Sequence, residues 1–172
     1  KKSNLVNFVK YLNKKNLFKY SENFKNLWKW SINNPELFWS EIWNFTKIKG
    51  IKGKKIIKKN KIFYKNIFFP DSKLNYTENL LCKKNDETAL YFFSETGIEK
   101  KTNWKELYNN VCKFSYYLKK IRLNEKDRVA AYVPNTIETV VSFLSVAKNG
   151  LIWSSCSPDF GVKGILDRLG QI

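Results

Sequence analysis

The sequence predicts an α/β fold in which a helical amino-terminal cap precedes the start of an α/β domain with a parallel βαβ sheet. Helical spacing of apolar residues dominates residues 3–48. From residue 86 onward, strand patterns alternate with helical ones. Strand, helix and strand follow one another over residues 128–155, the order of a right-handed parallel crossover. We therefore divide the chain into a cap with a lysine-rich connection, residues 1–70, and an α/β region, residues 71–172.

The composition indicates a packed globular protein and excludes several kinds of site. Of the 172 residues, 43% are hydrophobic, and no apolar run approaches the roughly 20 residues of a membrane span. Cys82, Cys112 and Cys156 are far apart and histidine is absent, which excludes common zinc sites and histidine-activated nucleophiles within this segment. We interpret the three cysteines as small buried residues in a reducing cytosol, and with the lack of a secretory segment they predict a cytoplasmic location.

The net charge of +17 has two interpretations. A strongly basic chain is typical of nucleic-acid-binding proteins. However, 29 of the 32 basic residues are lysine, whereas proteins that read phosphates and bases rely on the bidentate geometry of arginine. The chain is also rich in Asn, Ile, Phe and Tyr, which share A/T-rich codons with Lys. We favour biased genome composition and predict no specific nucleic-acid partner.

The cap is predicted from its aromatic residues. Asn34 suits a helix-capping position, Pro35 the first helical position, and Glu36 complements the helix dipole. Apolar residues then recur on two faces of the helix, Phe38, Ile42 and Phe45 on one and Trp39 and Trp43 on the other. Because a helix that is apolar on several sides must be covered, we predict that the cap docks against a larger body.

A lysine-rich run occupies residues 47–65, with nine lysines and no acidic residue. We interpret it as an exposed connection or edge strand, in which lysine discourages edge-to-edge aggregation. The alternative is a binding module for nucleic acid or an anionic membrane surface, for which we expect only weak, salt-labile binding. Pro70, Asp71 and Ser72 then predict a turn.

An antiparallel pair and a helix open the α/β region. Thr88–Ser94 is rich in aromatic residues and predicts a strand, and Lys100–Asn103 predicts its short return. Asn103 begins a helix, and Glu106 three positions later completes a capping-box pattern.

The βαβ unit follows. Arg128–Val133 is a short apolar run that fits a buried strand. Asn135 is predicted to cap the next helix, with Glu138 at its third position and Gly150 just after its end. Leu151–Ser155 is predicted to be the second strand, parallel to the first.

The end of that second strand is a candidate binding site, because ligands of open α/β sheets lie beyond the carboxyl ends of the strands. A helix predicted from about Gly161 offers free N–H groups that favour an anion, and hydroxyls occur at Ser154, Ser155 and Ser157. The alternative is an ordinary turn in which Asp159 caps the helix, and Asp159 would repel an adjacent phosphate. The sequence leaves both interpretations open.

Five stretches, in this order, resemble the adenylate-forming (AMP-binding, acetyl-CoA synthetase-like) family of acyl-CoA synthetases. They are WSINNPELFWSEIW (30–43), KLNYTENLL (73–81), TNWKEL (102–107), DRVAAYVPN (127–135) and GLIWSSCSPDFG (150–161) with its continuation to Ile172. The first resembles the helical cap of the family, and the third its first core motif. The resemblance implies the beginning of the first α/β subdomain of the adenylate-forming fold, truncated.

The resemblance implies an acid–thiol ligase that uses ATP, Mg²⁺ and CoA. A carboxylate attacks the α-phosphorus of ATP to give an acyl-adenylate and diphosphate, and the CoA thiol then displaces AMP. The run WSSCSPDFG is more similar to family members that act on acetoacetate than to those that act on acetate. Acetyl- or propionyl-CoA synthesis is the neighbouring alternative.

The resemblance also implies a place for CoA. In the related acetyl-CoA-forming enzymes, the segment after the equivalent strand contacts the adenine end of CoA, and the motifs align that segment with Ser157, Pro158 and Asp159. The aromatic-glycine-glycine pattern of those enzymes is absent here. Lys163 and Arg168 are candidates for the CoA phosphates, with a solvated helix face as the alternative for both.

We expect the chain to be a fragment, because it has no methionine and ends inside a helical pattern. It contains no G-x-x-x-x-G-K-[ST] or other phosphate loop, and the resemblance implies that the catalytic residues lie after Ile172. We therefore expect no catalytic residue here, no adenylate formation by the isolated chain, and the remainder of the polypeptide as its partner. A shortened remnant that only binds CoA or another protein is the alternative.

Overall fold

The computed structural model describes residues 3–19 and 23–172. These residues belong to two compact units, Lys1–Leu74 and Asn75–Ile172. The predicted helical stretch 3–48 includes residues 20–22, which lie outside the described residues. No helix in the described part of the chain is long and apolar enough to cross a membrane.

The first unit contains three helices and a small antiparallel hairpin. Its elements are α1 (Asn4–Lys14), α2 (Phe24–Asn33), α3 (Pro35–Phe45), β1 (Ile57–Lys58) and β2 (Ile67–Phe68), with a 3-10 turn over Phe63–Lys65. The first two helices begin at polar side chains: the Ser3 hydroxyl accepts from the Val6 N–H, and the Asn23 carbonyl from the Lys25 N–H. Asn34 precedes α3 as predicted, but its side chain donates to the Trp30 carbonyl oxygen at 3.1 Å and does not cap α3.

Aromatic rings form the core of the first unit. Phe8 of α1 lies 5.1 Å from the ring of Phe45 and 6.0 Å from that of Phe38, both on α3. The predicted second face of α3 is also covered, since Trp43 is buried and lies 5.0 Å from the ring of Phe69. These contacts confirm that both faces of the predicted helix pack against other parts of the protein, within its own unit.

A buried carboxylate joins α1 to α3. Glu41 accepts hydrogen bonds from the Tyr11 hydroxyl and the Lys15 ammonium, each at 2.6 Å, and from the Asn44 amide at 3.3 Å. Burial alone would raise the pKa of Glu41, but the hydrogen bonds from Lys15 and Tyr11 outweigh it and hold this pKa below its ordinary value. The same contacts raise the pKa of Lys15. The charge on Glu41 is therefore part of the helix–helix contact.

The second unit is an α/β layer structure, as predicted. Its elements are α4 (Tyr76–Leu80), β3 (Thr88–Phe93), β4 (Glu99–Asn103), α5 (Trp104–Lys120), β5 (Arg128–Tyr132), α6 (Ile137–Lys148), β6 (Ile152–Cys156) and α7 (Val162–Leu169). Strands β3 and β4 pair antiparallel. Strands β5 and β6 pair in parallel around the α6 crossover, which confirms the predicted βαβ unit.

The N-terminal cap of α5 is the one predicted from the sequence, whereas the N-terminal cap of α6 is not. At α5, Asn103 and Glu106 form the predicted capping box, with the Glu106 N–H 2.7 Å from the Asn103 side chain. At α6, the prediction that Asn135 is the cap is wrong, because Thr136 accepts from the Thr139 N–H instead. Thr139 also donates to the carbonyl oxygen of the preceding Pro134, at 2.6 Å. This pair of threonines fixes the start of α6 one residue later than predicted.

Buried polar contacts hold α4, α5 and α6 together. The Thr77 hydroxyl donates to the Leu144 carbonyl oxygen at 2.7 Å, and the Asn75 amide donates to that of Ala147 at 2.9 Å, so the 73–81 motif fastens α4 onto α6. Between α5 and α6, Ser115 and Asn149 exchange two hydrogen bonds of 2.9 Å. Buried leucine and valine side chains fill the space between these groups, including Leu81, Leu107, Val111 and Leu144. These contacts fix the positions of α4, α5 and α6 relative to one another, beside the β5–β6 pair.

We predict that Glu41→Gln destabilises the chain by about 1–2 kcal/mol at neutral pH, because a neutral amide is a poorer partner for Lys15 and Tyr11. Because the folded pKa of Glu41 lies below its ordinary value of 4.5, its stabilisation is complete above that value and is lost as the pH falls through the folded pKa. Thermal unfolding of both forms between pH 7 and pH 3 (roughly the titration range of a carboxyl) tests this.

The matched control is Glu36→Gln, which changes an exposed carboxylate on the same helix. It should lower the unfolding temperature less than Glu41→Gln does, because Glu36 only complements the helix dipole. Equal unfolding temperatures for wild type and Glu41→Gln at neutral pH would contradict the assignment of Glu41 as a stabilising charge.

Candidate functional site

The loop between β6 and α7 carries all three residues predicted to contact CoA. Ser157 is partly buried, whereas Pro158 and Asp159 are exposed. The loop begins at the carboxyl end of β6, whose last residue, Cys156, is buried. The structure thus brings the three predicted residues together at the edge of the sheet where parallel α/β folds bind ligands.

The loop is closed by its own polar groups. The Ser157 hydroxyl donates to the Asp159 carboxylate, and the Phe160 N–H donates to the Ser157 carbonyl oxygen at 3.2 Å. Asp159 therefore faces Ser157 and does not cap α7, whose N-cap residue is Gly161, with no side-chain hydrogen bond. The alternative in which Asp159 caps the helix is wrong, because the two-residue separation of Ser157 and Asp159 forms a local turn instead.

Tyr132 connects the loop to the neighbouring strand. It is the last residue of β5, and its hydroxyl donates to the Pro158 carbonyl oxygen at 2.7 Å, with the Phe160 carbonyl oxygen at 3.2 Å from the same hydroxyl. The Val133 N–H also donates to the Cys156 carbonyl oxygen, at 3.1 Å. The strand that ends beside the loop thus holds it in place.

This role of Tyr132 is not among the sequence predictions, although a signal for it exists. The pairing of Tyr132 with Cys156 follows from a parallel register that ends both strands at the same edge. A tyrosine at the end of the first strand can then reach the loop that follows the second. The prediction that this strand is buried is wrong for Tyr132, which is 51% exposed.

The two cationic candidates of α7 are placed differently. The Arg168 guanidinium lies 3.9 Å from the centre of the Phe160 ring and donates to the Gly164 carbonyl oxygen at 3.0 Å. Arg168 therefore covers the end of the loop through a cation–π contact. Lys163 is exposed on the first turn of the same helix.

The loop offers acceptors and donors on different atoms. Its acceptors are the Asp159 carboxylate and the carbonyl oxygens of Pro158 and Phe160. Its free donors are the first N–H groups of α7, which precede the first helical hydrogen bond, from the Ile165 N–H to the Gly161 carbonyl oxygen. A carboxylate attracts amino groups and repels phosphates, whereas a helix amino terminus attracts anions. This arrangement suits a ligand with a hydrogen-bond donor at one end and a negative charge at the other.

The described residues contain no cluster of metal-ligating side chains, and the loop does not line the cavity beside β5. Within residues 3–19 and 23–172, no group of three or more His, Cys, Asp or Glu residues is arranged to hold a metal ion. An open cavity of about 320 Å³ lies beside β5 and the start of α6, but Ser157, Pro158 and Asp159 do not line it.

Comparison with known proteins gives the same family in sequence and in structure. A family model described as AMP-binding enzyme matches residues 78–171. The chain is 43% identical over 155 residues to an acetoacetyl-CoA synthetase of Xenopus tropicalis, a match covering 87% of this chain and 23% of that protein. It is 40% identical over 143 residues to the acetoacetyl-coenzyme A synthetase of Rhizobium meliloti, covering 83% of this chain and 22% of that protein. The chain is 32% identical to a malonamoyl-CoA synthetase of Penicillium aethiopicum over an alignment of 174 positions, which covers 96% of this chain and 24% of that protein.

The solved structure of acetoacetyl-CoA synthetase from Streptomyces lividans superimposes with a TM-score of 0.87 at 27% identity, over 97% of this chain and 26% of that one. The chain spans about a quarter of the length of the curated relatives that it matches. The family model covers more than half of the chain, and the structural match covers nearly all of it. This chain belongs to the AMP-binding enzyme family.

Proposed function

We propose that the polypeptide containing this chain is an ATP-dependent ligase that joins acetoacetate to CoA through an acetoacetyl-adenylate, with release of AMP and diphosphate. The observation that carries this proposal is the likeness to one group of enzymes, at about 40% identity over most of the chain. The likeness in backbone structure to the Streptomyces lividans enzyme supports it. We also propose a cytoplasmic location, in which the three unpaired cysteines of the described residues stay reduced.

Within that enzyme, we propose that Ser157, Pro158 and Asp159 contact the adenine end of CoA. The acceptors of the loop support this, because the exocyclic amine of adenine is a hydrogen-bond donor. The Asp159 carboxylate would repel the CoA phosphates, so the loop suits the base better than the diphosphate. Tyr132 is proposed as a positioning residue, since it holds the Pro158 carbonyl and with it the direction of the loop.

The reaction itself is assigned to other parts of the polypeptide. Transfer at the α-phosphorus of ATP needs groups that neutralise crowded phosphate charge and hold the reactants in line. The cations near the loop do not form such a cluster, because Arg168 is engaged with Phe160 and Lys163 stands apart on the helix surface. The proposed contribution of this chain is therefore to bind and orient CoA.

We predict that the full-length polypeptide releases diphosphate with acetoacetate, ATP and CoA at a kcat/KM at least about tenfold above that with acetate or propionate. A coupled diphosphate-release assay measures this. The isolated 172 residues are the control and should form no acetoacetyl-AMP. Faster turnover with acetate or propionate would overturn the choice of acid, and acetoacetyl-AMP from the isolated chain would show that the catalytic residues lie within it.

We predict that Asp159→Ala in the full-length polypeptide raises the KM for CoA about fivefold, because the variant loses one exposed charge-assisted hydrogen bond to CoA. Tyr132→Phe should raise the same KM while leaving the rate of adenylate formation unchanged, because only the position of the loop changes. The rate of adenylate formation is measured by diphosphate release without CoA. The KM for CoA is measured by thioester formation.

The matched control is Asp167→Ala, which removes a different exposed carboxylate, one that lies on α7 and outside the loop. It should leave the KM for CoA unchanged. An unchanged KM in Asp159→Ala, or an equal increase in the control, would contradict the proposed CoA contact while leaving the proposed ligase activity standing.

A further inference from the structure

The first unit carries most of the net charge of the protein. Residues 1–74 contain 18 lysines and 4 acidic residues, whereas residues 75–172 contain 14 basic and 11 acidic residues, so the formal charges of the two units are +14 and +3. No acidic residue occurs between Glu41 and Asp71. A bias that acts on the whole gene does not by itself explain why the charge is concentrated in one unit.

Two exposed aromatic side chains, Phe63 and Tyr64, lie within the lysine-rich segment of residues 47–65. Strands β1 and β2 flank a turn whose outermost part, residues 61–65, is here called the hairpin tip. Phe63 is 84% exposed and Tyr64 is 80% exposed, the largest values among the exposed large hydrophobic side chains of the described residues. Lys65 follows Tyr64 directly, and Lys61 precedes Phe63 by two positions. Two neighbouring exposed rings among charged side chains form the kind of apolar patch that can serve as an interaction site.

Hydrogen bonds hold the hairpin tip in this exposed position. The Asn60 N–H donates to the Asn66 side chain at 2.7 Å, and the Ile62 N–H donates to the Asn60 side chain at 3.0 Å. The Lys65 N–H closes the turn onto the Ile62 carbonyl oxygen at 3.0 Å. The turn is thus fixed by its own polar groups, which lowers the entropy cost of using its aromatic rings for binding.

The base of the hairpin is fixed as well. The Phe68 ring lies 5.2 Å from Trp39, and the Phe69 ring lies 5.0 Å from Trp43, both on α3. Ile57 of β1 is buried. The hairpin therefore stands on the helical cap as a rigid projection with a basic, aromatic end.

We propose that the hairpin tip docks onto an anionic phospholipid bilayer. Phe63 and Tyr64 would enter the boundary between headgroups and acyl chains, where amphipathic rings are favoured. The surrounding lysines, Lys58, Lys61 and Lys65 among them, would lie against the lipid phosphates. Single-stranded nucleic acid fits the surface less well, because stacking of successive bases needs rings spaced along a basic groove, and here the two rings share one turn.

The two kinds of contact should add to each other at physiological salt. Screening there reduces attraction to within about 8 Å of the membrane, so only lysines close to the tip contribute. Each such lysine should change the partition coefficient about fivefold. Insertion of the rings adds a contact that does not depend on charge, so the aromatic residues should matter even at constant charge.

The test is co-sedimentation of the full-length polypeptide with vesicles of phosphatidylcholine containing about 30% phosphatidylserine, at an ionic strength of about 0.15 M. Phe63→Ser/Tyr64→Ser keeps the charge and should lower partitioning about tenfold. Lys58→Gln/Lys61→Gln/Lys65→Gln should lower it roughly a hundredfold. Pure phosphatidylcholine vesicles should bind neither the wild type nor the two variants appreciably.

Helix α5 supplies matched controls. Tyr116→Ser/Tyr117→Ser removes two aromatic rings that are 72% and 52% exposed, and Lys113→Gln/Lys119→Gln/Lys120→Gln removes three exposed lysines. Both should retain the partitioning of the wild type, with circular dichroism confirming that every variant is folded.

Three results would overturn the proposal. One is the absence of binding by the wild type at this ionic strength, and another is wild-type partitioning of the Phe63→Ser/Tyr64→Ser variant. The third is tip-dependent binding to an oligothymidylate in place of vesicles, which would assign the surface to single-stranded nucleic acid.

Discussion

The parallel pairing of β5 with β6 is the constraint on which the second unit depends. Parallel strands cannot be joined by a tight turn, so α6 must cross over the sheet and pack on it. The pairing runs from Arg128 with Ile152 to Tyr132 with Cys156, and it ends both strands at one edge. The β6–α7 loop, Tyr132 and the amino terminus of α7 meet at that edge for this reason. The candidate CoA site is thus a consequence of strand direction.

The polar contacts within the helical layer serve the same arrangement. Thr77 and Asn75 fasten α4 to α6, and Ser115 and Asn149 fasten α5 to α6. These groups are paired, so their burial carries no penalty for an unmade hydrogen bond. The first unit uses a different device, a buried carboxylate among aromatic rings, with Glu41 joining α1 and α3. Each unit therefore has its own core and its own polar contacts.

Much of the fold could be predicted from the sequence, because the decisive signals are local. The capping box of Asn103 and Glu106, the left-handed turn at Gly150 and the βαβ order all depend on residues a few positions apart. The start of α6 was misplaced because Asn135 and Thr136 are both good caps, and the hydrogen bond from Thr139 to Pro134 decides between them. The Tyr132 contact joins residues 26 positions apart, and the exposure of Phe63 depends on packing of the hairpin on α3. The Tyr132 contact can be inferred only from the parallel register of the two strands, and the exposure of Phe63 has no local pattern that would reveal it.

The most direct test of the central claim is a crystal structure of the full-length polypeptide with CoA bound. In that structure we expect the exocyclic amine of adenine within about 3.2 Å of an acceptor of Pro158 or Asp159, with the Tyr132 hydroxyl still donating to the Pro158 carbonyl oxygen. A structure in which CoA is fully ordered elsewhere, and the β6–α7 loop contacts only solvent or protein, would contradict it.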